Sequence, residues 1–278
     1  MKIAVTGSSG MLGTAIKQVF TDKELIALTR NDFDITDPDS TRTAIRDIKP
    51  DFLIHAAAFT DVDGCEADPE KAYLVNSVGA RNVVIACEPI NCPVLYISTD
   101  YVFDGREKTP YSEGEHPDPV NKYGLSKLIG EYFVSMLSSR FYIVRTSWLY
   151  GKGGKNFVDS ILQGLSGNKE IDVVNDQTGS PTYTQDLASR LKELPGKGFG
   201  VYHITNSSYC TRYELALEIV RIKGIKARVN PVTSGKLARP AKRPGFSALA
   251  STRLQHEGIS EPRHWKEALK EYLTGPNI

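Results

Sequence analysis

Two side chains near the middle of the sequence have the types and spacing needed for proton transfer. Tyr123 and Lys127 are four positions apart, so on a helix they share one face. A tyrosine titrates near pH 10 and is a poor acid or base at neutral pH. A lysine ammonium about 4 Å away contributes roughly 4 kcal/mol of attraction to the phenolate, so we expect Lys127 to lower the pKa of Tyr123. The same spacing is common on ordinary surface helices, so the pair needs support from other motifs.

A third candidate, Thr99, stands at the end of a predicted strand. The apolar residues 94–97 are followed by Ser98 and Thr99, and the carboxyl ends of parallel strands border the ligand crevice of α/β sheets. A threonine hydroxyl at that point can hydrogen-bond a substrate oxygen. We therefore predict that Thr99, Tyr123 and Lys127 form the catalytic set of an enzyme that transfers hydride.

A glycine-rich turn follows the first predicted strand. Glycines 7, 10 and 13 are spaced Gly-x-x-Gly-x-x-Gly, which lets the backbone approach a diphosphate whose charge is met by amides at a helix start. A tight turn without a ligand is the structural alternative, but its place at the first strand-to-helix junction favours a dinucleotide. The predicted contacts are Gly7, Ser9, Gly10, Met11, Leu12 and Gly13.

The rest of the predicted cofactor site lies at the ends of the next two strands. Thr29 and Arg30 stand where an acidic residue would bind a ribose 2′-hydroxyl, and Arg30 could meet a 2′-phosphate instead, so NADPH is preferred to NADH. Small residues after the third strand let a flat dinucleotide lie against backbone, although core packing also explains them. The predicted contacts are Arg30, Asp34, Ile35, Ala56, Ala57, Ala58 and Thr60, with Tyr123 and Lys127.

These residues need a parallel sheet to bring them together, and the pattern of the first half predicts one. Short apolar runs at residues 3–5, 25–28, 52–57, 94–97 and 141–144 alternate with helix-length segments, which is typical of β-α-β units. We predict an α/β, Rossmann-like, doubly wound parallel sheet in residues 1–150. Residues 151–278 should form mainly a smaller α/β substrate-binding lobe, with helices near 156–165, 184–193, 211–223 and 262–272, and some of its segments could return to the main sheet.

Composition excludes several other classes. Hydrophobic residues make up 40% and charged residues 24% of the chain, as in ordinary globular proteins. A net charge of +1 gives no general attraction to nucleic acid or membrane, and no apolar run is long enough to span a bilayer. With no signal peptide pattern, we expect a cytoplasmic protein. The four cysteines form no Cys-x-x-Cys pair and the histidines lack metal-ligand spacing, so no metal site is predicted.

A basic run lies in the second half of the chain. There is no acidic residue between Glu218 and Glu257, while nine lysines and arginines fall in that interval. A solvated basic face explains such a run. The alternative is that residues 239–243 face a phosphorylated ligand, because an arginine fork can bond phosphate in two places.

Longer segments extend these motifs into a family resemblance. The chain resembles the extended short-chain dehydrogenase/reductase family and, within it, the dTDP-4-dehydrorhamnose reductase branch. The resemblance covers nearly the whole sequence, and the branch is indicated by residues 98–105, 145–151 and 176–182 and by Arg243-Pro244. It implies that NADPH, or less readily NADH, reduces the C4 ketone of dTDP-4-dehydro-L-rhamnose to give dTDP-L-rhamnose.

The resemblance also implies a role for each residue. Tyr123 would protonate the forming alkoxide, Lys127 would hold the nicotinamide ribose, and Thr99 would bond the sugar oxygen. Thr14-Ala15 stand where some members carry an acidic residue for a metal between two subunits, so we expect a monomer or homodimer without that metal. The implied substrate contacts are Thr99, Asp100, Tyr101, Trp148, Asn156, Gln177 and Arg243.

Two other functions stay open. An enzyme of the same fold could act on a different nucleotide 4-keto sugar as a reductase or epimerase; Thr99-Asp100, where dehydratases often carry Asp-Glu, disfavours a dehydratase. The chain could also be a binding subunit without catalysis, because the regulatory subunit of methionine adenosyltransferase resembles the same reductases. The presence of Thr99, Tyr123 and Lys127 disfavours that second alternative.

Overall fold

A computed structural model describes residues 1–275, so the last three residues of the predicted lobe lie outside the described part. Its strands are β1 (Lys2–Thr6), β2 (Glu24–Leu28), β3 (Phe52–His55), β4 (Val94–Thr99), β5 (Phe141–Thr146), β6 (Leu149–Tyr150), β7 (Glu170–Val174), β8 (Thr178–Gly179), β9 (Thr182–Tyr183), β10 (Gly200–His203), β11 (Cys210–Thr211) and β12 (Arg228–Val232).

The α-helices alternate with these strands through the first half of the chain and then fall between shorter strands. They are α1 (Met11–Val19), α2 (Pro38–Ile48), α3 (Val62–Ala67), α4 (Pro69–Tyr73), α5 (Gly79–Cys87), α6 (Lys122–Leu137), α7 (Phe157–Gly164), α8 (Thr184–Leu191), α9 (Arg212–Lys223), α10 (Thr252–His256) and α11 (Trp265–Thr274). None of the helices within residues 1–275 is long and apolar enough to cross a membrane.

The central sheet is parallel and has the order β10-β5-β4-β3-β1-β2. The strand order therefore reverses between β1 and β3, which is where doubly wound sheets leave a crevice for a ligand. The predicted fold class is confirmed. Helices cover both faces, as a parallel sheet requires: α1 and α8 pack on one side, and α2, α5 and α6 on the other.

Two apolar cores fill the space between the sheet and its helices. One contains Ile3 and Ile16 with Leu187 and Tyr202; the other contains Leu53, Val83, Tyr96 and Val134. Residues of α8, β10 and α10 belong to the first core, so these segments of the second half pack on the main sheet. The remaining segments enclose a separate core around Trp265.

Local sequence sets several boundaries. Asp37 caps α2, its carboxylate accepting the Asp39 and Ser40 amides, and Pro38 takes the first helical position, as those residue types predict. The strand predicted over residues 52–57 ends at His55, and the backbone of the next two residues, Ala56 and Ala57, lies against Gly7. The parallel pair β7 and β12 was not predicted, since its strands alternate exposed and buried positions within a region of loose hydrophobic pattern.

The close packing of α6 on β4 depends on Gly130. A Cβ at this position would lie 2.6 Å from the carbonyl oxygen of Asn76 and would also overlap the Tyr96 hydroxyl. Both neighbours are buried, so neither can move freely. Glycine is therefore required here although alanine is the better helix former.

We expect Gly130→Ala to lower the free energy of unfolding by about 1–3 kcal/mol, because overpacking outweighs the gain in helix propensity. Urea denaturation followed by circular dichroism measures this change. Gly114→Ala is the matched control, since a Cβ there meets nothing within 4 Å; its stability should stay the same or rise slightly. Equal effects of the two substitutions would contradict the packing argument.

Candidate active site

A cleft of about 1290 Å³ opens at the carboxyl ends of the central strands. Every residue predicted above to bind the cofactor lies on its wall. At the opposite end from the glycine turn, the wall includes Thr99, Asp100, Tyr101, Tyr123 and Trp148. The sheet therefore gathers into one crevice residues that are far apart in sequence.

The glycine turn forms a cradle that side chains would fill. Gly7 has φ +70°, and a Cβ there would lie 2.6 Å from the Ala57 amide nitrogen. A Cβ at Gly13 would lie 2.5 Å from Ser8 Cα. Helix α1 begins at Met11 without a side-chain cap, so amides of its first turn remain available to an anion. The turn therefore fits a dinucleotide diphosphate.

Beyond the turn, the cleft wall continues past the end of β2. Thr29 is held there by Asp32, whose carboxylate accepts the Thr29 amide at 2.7 Å and hydroxyl at 2.8 Å. Arg30 stands next to this turn on the cleft wall. Asp34 Oδ1 accepts the Thr36 amide at 2.9 Å and hydroxyl at 2.8 Å, and these bonds lower the pKa of Asp34. Asp34 is thus an ionised wall residue with one oxygen already occupied.

Helix α6 carries Tyr123 and Lys127 into the cleft. Asn121 caps the helix by accepting the Gly124 amide at 2.8 Å, and a Cβ at Gly124 would overlap the Tyr101 carbonyl oxygen. The helix start therefore lies directly against the turn that follows β4. As a result Thr99, the last residue of β4, lies close enough to Tyr123 for its hydroxyl to lower the pKa of the phenol.

The predicted effect of Lys127 on Tyr123 is wrong for this structure. Burial raises the pKa of Tyr123, and the nearby Thr99 hydroxyl opposes the rise. Burial also lowers the pKa of Lys127 to about 7, against the charge of Glu131. The Lys127 ammonium lies 4.0 Å above the ring of Tyr96, so it is stabilised by a cation-π contact. In a partly screened site the Lys127 charge would lower the pKa of Tyr123, whereas the fold desolvates both groups.

Asp100 is a buried carboxylate at the centre of a hydroxyl cluster. It accepts hydrogen bonds from Ser247 at 2.5 Å, Ser147 at 2.9 Å and Thr99 at 3.1 Å. Burial raises the pKa of Asp100 to about 6, although these three bonds favour the ionised form. The bond from Thr99 fixes the orientation of the predicted catalytic hydroxyl.

A buried ion pair supports the cleft from behind. Glu131 lies on α6 and receives a bidentate bond from Arg145, with N···O distances of 2.9 and 2.7 Å. Ser98, next to Thr99, donates to the same carboxylate at 2.5 Å. The pair therefore joins α6, β4 and β5.

Trp148 and Arg212 form the wall at the far end of the cleft. Trp148 has φ +44°, a strained value for a bulky residue. A Cβ at Gly179 would lie 2.5 Å from its ring, and the Arg212 guanidinium stacks 3.5 Å above the ring. The sequence reasoning missed Arg212, which lies outside the basic run; no motif marks this position.

Three predicted substrate contacts do not line the cleft. Asn156 caps α7 and donates to the Gly151 carbonyl. Gln177 donates to Ser234 at 2.9 Å. Arg243 forms a bidentate pair with Asp63 at 2.7 and 2.8 Å. Each side chain already has protein partners, and the role of these three as substrate contacts stays a prediction. In the described ranges, no group of three or more histidine, cysteine or acidic residues could hold a metal ion.

Comparison with known proteins places the chain in a family. The family model described as the RmlD substrate binding domain matches residues 1–277. The chain belongs to this family. It is 40% identical over 274 residues to the spore coat polysaccharide biosynthesis protein SpsK of Bacillus subtilis, covering 98% of the chain and 96% of that protein.

Two further relatives carry a more specific name. The chain is 41% identical over 277 residues to a dTDP-4-dehydrorhamnose reductase of Streptomyces griseus, covering 96% of the chain and 91% of that protein. It also matches the solved dTDP-4-dehydrorhamnose reductase of Bacillus anthracis in complex with NADP, with a TM-score of 0.96, 36% identity and coverage of 99% and 100%. The predicted family resemblance is confirmed.

The raised pKa of Asp100 predicts how the free energy of unfolding changes with pH. Because the folded protein holds this proton up to about pH 6 and the unfolded chain releases it near 3.8, the contribution of Asp100 to stability falls as pH rises from 4 to 6. The change is on the order of 3 kcal/mol. Unfolding of Asp100→Asn and wild type at several pH values should show the variant gaining that amount relative to wild type over this range.

Asp63→Asn is the control for this titration. The Arg243 hydrogen bonds lower the pKa of Asp63 to about 2, so the stabilisation is present above pH 4 and is lost only as pH falls toward 2. Its effect should be constant from pH 5 to 7. A constant effect of Asp100→Asn over pH 4–7 would show that Asp100 does not titrate as the geometry implies.

Proposed function

We propose that this protein is an NADPH-dependent reductase that converts the C4 ketone of dTDP-4-dehydro-L-rhamnose to the alcohol of dTDP-L-rhamnose. Family membership and the two relatives named for this reaction support the substrate, and the NADP-bound relative supports the cofactor. The observation that most directly supports this reaction is that Thr99, Tyr123 and Lys127 line the same cleft as the glycine turn.

The proposed chemistry needs one hydride and one proton. NADPH supplies the hydride to C4 of the sugar, and the electron pair of the C=O bond moves to the oxygen. The Tyr123 phenol donates its proton to that oxygen. Burial raises its pKa, so the phenol is protonated at neutral pH and gives up its proton only as the strongly basic alkoxide forms. The single hydroxyl proton of Thr99 is donated to Asp100, so the hydroxyl would turn from Asp100 to the same substrate oxygen when the sugar binds.

The remaining residues would bind and orient the cofactor and the sugar. The glycine turn would receive the cofactor diphosphate, and Lys127 would hold the nicotinamide ribose. Tyr101 and Trp148 would line the sugar pocket, where aromatic rings suit the apolar face of a 6-deoxy sugar. We also propose that residues 1–150 serve mainly the cofactor and that the second half serves mainly the substrate. A cytoplasmic location and a monomeric or dimeric state belong to the same proposal.

The first test is NADPH oxidation followed at 340 nm, with the keto sugar made in situ from dTDP-glucose by the enzymes that precede the reduction. Tyr123→Phe should lower kcat about 10²- to 10⁴-fold, because a general acid is lost, while the affinity for NADPH stays within a few-fold. Absence of turnover by the wild-type protein with either nicotinamide would favour the binding-subunit alternative. A Tyr123→Phe rate within a few-fold of wild type would remove Tyr123 from the mechanism.

Cofactor preference gives a separate prediction about Arg30. If this side chain meets the 2′-phosphate, Arg30→Ala should raise KM for NADPH about 10- to 100-fold, the effect of losing hydrogen bonds to a charged group. KM for NADH should remain nearly unchanged. Arg42→Ala, an exposed arginine on α2 paired with Asp39, is the control. A similar rise for both cofactors would exclude a specific contact to the 2′-phosphate.

A further inference from the structure

Arg212 presents a cation on the cleft wall at the substrate end. It is the first residue of α9, and its guanidinium lies between two aromatic rings, 3.5 Å above Trp148 and 4.7 Å from Phe157. Stacking of this kind holds the planar group flat and leaves its N–H donors directed outward at the edge. A ligand group beside the ring of Trp148 can therefore be bonded in the plane of the guanidinium.

The charge of Arg212 is not matched by an ion pair. Among residues 1–275, no ion pair within 4.0 Å involves Arg212, and the polar group that lies beside it is the neutral hydroxyl of Tyr101. The nearest influential acid, Asp100, is already bonded to three hydroxyls. A partly buried cation without a counterion is unfavourable. An anionic ligand group would provide that counterion.

The basic run does not provide an alternative at this wall. Arg243 also lies near the Tyr101 hydroxyl, but both of its terminal nitrogens are bonded to Asp63. Arg239 is mostly exposed, with its guanidinium 3.7 Å from the same carboxylate. Neither side chain lines the cleft, whereas Arg212 does. Of these three arginines, Arg212 is the one on the cleft wall.

The position of Arg212 relative to the reacting groups indicates which part of the ligand it would contact. Arg212 contacts Trp148 and Tyr101, and the Tyr101 ring lies 5.8 Å from the Tyr123 ring. In a nucleotide sugar the diphosphate is attached at C1, across the pyranose ring from the C4 carbonyl. A sugar whose C4 carbonyl reaches Tyr123 and whose ring lies along Tyr101 would therefore bring its diphosphate toward Arg212.

We propose that Arg212 binds the diphosphate of the nucleotide-sugar substrate. The choice of ligand rests on the proposed function, and the contact itself rests on the uncompensated, stacked guanidinium. Arg212 is then a binding residue that also holds Trp148 against the pocket. The diphosphate would complete the charge balance and align the sugar beneath the catalytic hydroxyls.

The test is direct binding of dTDP and thymidine to the full chain saturated with NADP⁺, measured by titration calorimetry. Arg212→Gln should weaken dTDP binding about 10- to 100-fold, because charge-assisted hydrogen bonds to phosphate are lost. Thymidine, which lacks phosphate, should bind as tightly as to wild type. Arg212→Lys retains the charge but not the planar fork, so its loss for dTDP should be smaller.

Arg239→Gln is the matched control from the basic run, and its dTDP affinity should stay within two-fold of wild type. Thermal denaturation and NADPH affinity show whether any variant has lost its fold or disturbed the cofactor end. Unchanged dTDP binding by Arg212→Gln would overturn the proposal, as would an equal loss for thymidine, which would indicate a disturbed pocket. Loss of dTDP binding in Arg243→Gln with Arg212→Gln unaffected would assign the contact to Arg243 instead.

The outcome separates this inference from the proposed function. A wild-type protein that binds dTDP through Arg212 but does not oxidise NADPH with the keto sugar would retain the diphosphate contact and reject the reductase. A protein that turns over the keto sugar while Arg212→Gln binds dTDP normally would retain the reductase and reject the contact. A wild-type protein that does not bind dTDP would overturn the contact.

Discussion

The carboxylate of Glu131 joins three elements of the site, the helix α6 and the strands β4 and β5. It accepts two bonds from Arg145 on β5 and one from Ser98 on β4, while its own helix α6 carries Tyr123 and Lys127. Removing one partner of such a buried pair leaves a charge without compensation, at a cost of about 3–5 kcal/mol. The bonds of Glu131 to Arg145 and Ser98 therefore help to fix the distance between the Thr99 hydroxyl and the Tyr123 phenol.

The close approach of α6 to β4 places charged groups in a poorly solvated cleft. Burial lowers the pKa of Lys127 to about 7 and raises the pKa of Asp100 to about 6. Neither shift favours stability at neutral pH, since each opposes the ionised form. Shifted groups of this kind are typical of functional sites. The same environment strengthens hydrogen bonds to a ligand, because water does not compete for the donors.

Residue type alone does not show which side chains in the second half of the chain already have protein partners. Asn156, Gln177 and Arg243 have suitable groups for a sugar or phosphate, but each is satisfied by protein: a helix cap, a serine hydroxyl and an aspartate. Arg212 lacked any motif and yet reaches the cleft, because Trp148 and Phe157 fold against it. The difference lies in which partners the tertiary structure supplies.

The sequence by itself determined the parallel sheet, the glycine turn and the Tyr-x-x-x-Lys helix. These features depend on local periodicity, on glycine positions that exclude a Cβ, and on spacing within one helix. All three are properties of residues close together in the sequence. Only the tertiary structure decided how β10 joins the main sheet, how burial shifts the pKa values of Tyr123 and Lys127, and which arginine faces the cleft. Those properties depend on solvent exclusion and on contacts between residues distant in sequence, such as Asp63 with Arg243, and a single sequence does not display either.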